Sequence, residues 1–143
     1  MQVKSKMTEI IVGFNNTKDV KQQIKWMDKT KVLFSDYETY ASIAHLNFNK
    51  DTKDNNANKE NDYYDEIEPS MKEISLNWAK TLLKGKFRKD LENIYGSHFF
   101  NLKELELKSF DPKIKNQVEE ENKLKNEYTK IIAGARIEFE GNT

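Results

Sequence analysis

No glycine or proline interrupts the chain between Thr17 and Phe48, and across that stretch the apolar residues recur four and three apart: Val20, Ile24 and Met27, then Leu33, Tyr37, Tyr40, Ala44 and Phe48. That period belongs to a helix rather than a strand. With Thr17 as N-cap, the segment is predicted to form one helix of roughly 45 Å at about 1.5 Å per residue.

The same rhythm governs the rest of the chain, so the expected fold class is all-α. Residues 50–61, polar apart from Ala57 and rich in Asn and Asp, read as an inter-helix loop. Tyr63, Ile67, Met71, Ile74, Trp78 and Leu82 then form a second stripe, with Pro69 expected to kink or split it and Gly85 to end it. Two facing stripes of this length predict a long antiparallel helical hairpin, since neither stripe is hidden alone.

Shorter helices follow. Phe87, Leu91 and Ile94 mark one, closed by Gly96 in a left-handed conformation. Ser97 is placed as the N-cap of the next, in which Phe99, Leu102 and Leu105 lie on one side and Phe100, Leu107 and Phe110 on another. Apolar on two faces, that helix is expected to be the most buried. Asp111-Pro112 is a strong helix start, and Ile114, Val118, Leu124, Tyr128, Ile131 and Ala135 are assigned to the buried side of a long final helix. On its wet side Glu119/Lys123, Glu121/Lys125 and Lys123/Glu127 can pair one turn apart. Ile137-Glu138-Phe139 alternates like a short strand and Gly141-Asn142 reads as a turn, so residues 137–143 are expected to be the first half of a hairpin without its partner. Residues 1–16 are left as a poorly defined start. The chain, 1–143, is accordingly expected to be a helical segment of a larger protein.

Composition limits the function classes. Apolar residues make up 36% and charged residues 34%, a balance that suits amphipathic helices around a thin core. Lys and Arg number 24 against 24 Asp and Glu, so no global charge favours nucleic acid or an anionic membrane, and neither is expected as a partner. The chain has no cysteine, which excludes disulfides, thiolate metal sites and a cysteine nucleophile. Ile10-Ile11-Val12 is too short for a signal-peptide core, and nowhere do 18 apolar residues follow one another. A soluble, cytoplasmic protein is expected.

Candidate chemistry is sparse. His45 and His98 lie far apart in sequence, without the Glu and second His of a zinc peptidase helix, so hydrogen-bonded structural roles are assigned to both. Asp54 to Asp62 with Asp65 resembles a calcium loop in spacing, but Lys59 stands where the tight turn needs Gly and Asp65 where a bidentate Glu is needed. Lys84, Lys86, Arg88 and Lys89 crowd one junction, in keeping with a solvated helix end. The aromatic residues fall mostly on the stripes; Tyr63-Tyr64 is the exception, because adjacent rings cannot both face one side of a helix. No residue is assigned a catalytic, cofactor-binding or metal-binding role.

Several stretches, in order, resemble the N-terminal region of the bacterial oligoendopeptidase F family, zinc metallopeptidases of the thimet oligopeptidase class. They are Tyr40–His45, Asn61–Glu66, Leu82–Glu92, Glu119–Leu124, and Glu127–Ala133 with Ala135–Gly141. The resemblance implies a helical hydrolase whose two halves enclose a deep cleft and which cleaves short peptides in the cytoplasm. It also implies that zinc and the His-Glu-x-x-His helix lie downstream, in a C-terminal catalytic domain that would be this segment's principal partner. No cofactor is expected on the segment itself, and alone it is expected to be inactive. A free-standing helical protein-interaction module without catalytic activity is the alternative.

Overall fold

The structure, a computed structural model, describes residues 2–109 and 115–135. Six helices occupy them: α1 (Gln2–Asn15), α2 (Val20–Lys50), α3 (Asn55–Leu83), α4 (Arg88–Tyr95), α5 (Ser97–Ser109) and α6 (Lys115–Gly134). No strand occurs among the described residues. The expected strand at 137–139 and the Asp111-Pro112 helix start lie outside them. The chain divides into two units, Met1–Glu38 with Ser70–Pro112, and Thr39–Pro69 with Lys113–Thr143.

In the first unit the segment expected to be poorly defined proves to be a helix, and one that supplies the core. Val3, Met7, Ile10, Ile11 and Phe14 recur at helical spacing, and Met7, Ile10 and Phe14 are buried. They join Met27 of α2, Trp78 and Leu82 of α3, Leu91 of α4 and Phe100 of α5 in one cluster. The Phe14 and Trp78 rings meet edge to face with centroids 5.0 Å apart. Each fully buried Phe or Leu here contributes about 1.5–3 kcal/mol by leaving water. Ile10-Ile11-Val12 read on its own hides this pattern, because only the wider window shows the period.

The α1–α2 corner corrects a second expectation. Thr17 donates its hydroxyl to the Phe14 carbonyl at 2.8 Å and so closes α1 rather than opening α2. Asp19 starts α2: its Oδ1 accepts from Gln22 N at 2.9 Å, while Gln22 Oε1 accepts from Lys18 N at 3.1 Å. These bonds satisfy amide donors that a helix leaves orphaned. α2 also crosses α1 closely at Gly13, where a Cβ would stand 2.2 Å from the Trp26 ring.

The link between α2 and α3 is only residues 51–54, not 50–61. Asp54 is the cause, since its Oδ1 accepts from Asn56 N at 2.7 Å and Ala57 N at 3.2 Å, capping α3 before the Asn-rich run. Asn58 then donates to the Thr52 and Asp54 carbonyls. The Asn and Asp residues that suggested a loop are instead caps and first-turn residues. Pro69 does not split α3, which continues through it to Leu83, just before Gly85 as expected.

Gly96 follows α4 with φ 85° and ψ 148°, positive as expected but in an extended region open to glycine rather than the left-handed helical one. Its N–H donates to Glu92 O at 2.9 Å. α5 begins at Ser97, but it is not the most buried helix. Phe100 is enclosed, while Leu102 and Leu105 are exposed. Among the described residues only one of its two apolar faces is covered. Two ionic clusters, centred on Arg88 and Glu106, fasten this end of the unit. Arg88 reaches Glu92 and Glu104, each at 2.8 Å; Glu106 of α5 accepts from Lys72 and Ser75 of α3 and from Lys103.

The second unit joins the C-terminal part of α2, the N-terminal part of α3 and α6. Ala44, Phe48, Ala57 and Asn61 are buried in it, a small set for three helices. Polar contacts take on much of the holding.

Candidate interaction surface

Asn61, 2% exposed, is the centre of those contacts. Its Nδ2 donates to Asp65 Oδ2 at 2.8 Å, which fixes the amide so that Oδ1 lies 3.3 Å from His45 Nδ1. An amide oxygen only accepts, so this contact needs the His45 proton on Nδ1. Asp65 Oδ2 also accepts from Asn126 Nδ2 of α6, and Glu68 accepts from Asn122 Nδ2 at 2.5 Å. Burial pushes the Asp65 carboxyl above the ordinary carboxylate range; the bond from Asn126 works against this, and the nearby Glu68 and Asp62 charges add to it. α6 is therefore held to α3 by amide donors on carboxylates. A cleft of about 280 Å³ lies along the same seam, lined by charges of both signs from Asp62, Asp65, Glu66, Glu119, Lys123 and Glu127.

This seam reverses the orientation expected of α6. Val118, Asn122, Asn126 and Thr129, spaced four, four and three, are half-buried, together with Glu119 beside them. Val118 lies on the inward side as expected, but the rest of the stripe expected to be buried lies across the helix and faces water: Leu124 is 58% exposed, Tyr128 66%, Ile131 69%, and neighbouring Ile132 57%. Ala135 is exposed too, while Ile114 lies outside the described residues. Of the pairs expected on the wet side, Glu121–Lys125 is formed at 2.7 Å. On α2 of the same unit Tyr40, Ile43 and Leu46 are exposed.

The remaining candidates are scattered over both units. His45 belongs to the second unit and His98, exposed on α5, to the first. Among the described residues no group of three or more His, Asp or Glu side chains is placed to hold a metal ion. The residues proposed for a calcium loop lie mostly in the first turns of α3. From the basic junction Arg88 is committed to Glu92, Glu104 and the Leu83 carbonyl at 3.4 Å. Tyr63 is exposed and Tyr64 half-buried, their rings edge to face at 5.3 Å, so the pair does split between two faces. Burial, with Glu60 close by, raises the Tyr64 hydroxyl above its usual range. In the first unit an apolar hollow of about 480 Å³ opens beside Phe34, Trp78, Tyr95 and Phe99. Sequence spacing could not have found it, because it is assembled from four helices.

Residues 1–110 match the Peptidase M3 N-terminal domain family. The chain belongs to that family. The M3 N-terminal fold is shared with solved structures over 99% of this chain, each with a TM-score of 0.92. One is assigned as an oligoendopeptidase F, at 35% identity; another is PZ peptidase A with an inhibitor, at 33%; a third is assigned as an oligoendopeptidase F from Bacillus anthracis, at 29%. This M3 domain chain spans about a quarter of their length, 25%, 25% and 26% respectively. No curated protein matches it significantly. No helix among the described residues is long and apolar enough to cross a membrane.

Proposed function

We propose that this chain acts as the N-terminal helical part of a zinc-dependent oligoendopeptidase, forming part of the wall of a peptide-binding cleft and supporting a catalytic half that holds the metal. The observation that carries this reading is the 0.92 match over 99% of the chain to peptidases four times its length. The whole enzyme hydrolyses short peptides in the cytoplasm. This segment contributes no catalytic side chain: His45, Asp65 and Glu68 of the second unit are engaged in contacts between helices, and the core of the first unit is mainly apolar. Its work is positional, excluding large substrates and keeping the cleft's geometry.

The test is direct. Purified alone, the chain is expected to retain no stoichiometric zinc and to leave a quenched-fluorescent oligopeptide uncut. Zinc-dependent turnover by this chain, abolished by chelator and restored by metal, would contradict the assignment of catalysis to another part of the enzyme.

A further inference from the structure

α6 turns its polar face inward and its apolar face to water. In an amphipathic helix the apolar stripe is the face that gains by leaving solvent. Here Asn122 and Asn126 hold α6 to Glu68 and Asp65, and this fixes Leu124, Tyr128, Ile131 and Ile132 outward. We propose that these four side chains are the docking face for the catalytic remainder of the peptidase. The proposal rests on the reading under Proposed function and names the surface through which that support is given.

Two observations select this occupant over a second copy of the chain. The four side chains offer on the order of 500 Å², below the roughly 800 Å² per partner of a standard interface between separate proteins and only at the lower limit for a specific one. Two free copies would also lose translational and rotational freedom on meeting, whereas a part tethered in the same polypeptide meets this face at high effective concentration. A patch marginal for a free dimer is sufficient within one chain. The related peptidases supply such a part, because this fold accounts for only 25–26% of their length.

The chain's lack of cysteine makes the test clean. Leu124→Cys and Ile131→Cys are made in the isolated chain and in a chimera in which this chain replaces the matching quarter of the Bacillus anthracis oligoendopeptidase F. Maleimide labelling is read by mass spectrometry of the peptide carrying each position, relative to denatured protein. Both thiols are expected to label freely in the isolated chain at micromolar concentration and at least about tenfold more slowly in the chimera, as for sites opened only by local unfolding. An active chimera whose thiols label as fast as those of the isolated chain would overturn this inference and leave the proposed function standing. A chimera that is unfolded, or folded but inactive, would overturn both. Concentration-dependent protection in the isolated chain, together with a dimer on sedimentation, would assign the face to a second copy and also overturn the inference.

Discussion

At Gly13 a Cβ would stand 2.2 Å from the Trp26 ring, whereas at Gly96 it would meet nothing within 4 Å but would have to accept φ 85°. The two positions therefore separate a packing constraint from a backbone one. Gly13→Ala is expected to cost about 1–3 kcal/mol through overpacking, and Gly96→Ala about 1–3 kcal/mol through backbone strain. Urea unfolding in a Trp26→Ala background tells them apart: the Gly13 penalty should shrink there and the Gly96 penalty should not. Only Gly96 was legible in the sequence, as a glycine closing a helical pattern. Gly13 depends on a residue from another helix, which local spacing does not encode. Glu106 gives the residue scale a pH dependence. Burial pushes its carboxyl up, but Lys103, Ser75 and Lys72 together outweigh burial and hold it below the ordinary range. A carboxylate depressed in the folded state contributes stability above its unfolded pKa and loses it as pH falls through the folded one. Acidifying from neutral to about pH 3, past the usual Glu value, should therefore weaken the first unit, and Glu106→Gln should flatten that part of the profile. Asp65 has the opposite sign, being raised: its contribution is present below its unfolded pKa and is lost as pH rises through the folded one.

At the scale of the element, α1 and α6 depart from what their sequences suggest, for different reasons. In α1 the contiguous Ile10-Ile11-Val12 run masks the helical period, which only the wider window from Val3 to Phe14 shows. The helix carries Met7, Ile10 and Phe14 into the core, so Phe14→Ala is expected to cost about 3–5 kcal/mol in denaturant unfolding. α6 was recognised as a helix, but its buried side was assigned by hydropathy, the rule for a helix whose partner lies within the same chain. The contacts that hold it are polar, and amide-to-carboxylate pairs leave no periodic signal. The consequence is unusual for an Ile-rich and Leu-rich stripe. Leu124→Ser with Ile131→Ser should leave the isolated chain within about 0.5 kcal/mol of its original stability, as exposed substitutions do, whereas a buried stripe would lose several times that. The Asn-rich start of α3 teaches the same lesson, since Asp54 turns residues of loop composition into a capped helix.

For the whole molecule, the helical class was legible among the described residues from Thr17 onward because each stripe keeps the same period, and the ordered fragments from Tyr40 onward were enough to suggest the family that residues 1–110 match. The surface was not legible. Whether Leu124 or Asn126 faces inward is decided by where Asp65 and Glu68 stand on α3, and no property of the α6 sequence records that. The central claim is that this chain supplies the supporting quarter of an M3 oligopeptidase. The most direct measurement is kcat/KM of the chimera on a quenched-fluorescent oligopeptide, beside its parent enzyme. Zinc-dependent cleavage within about tenfold of the parent is expected, since even a 1 Å misplacement of the supporting wall could cost about a hundredfold. A chimera that folds cooperatively, binds zinc and cleaves nothing would contradict the account.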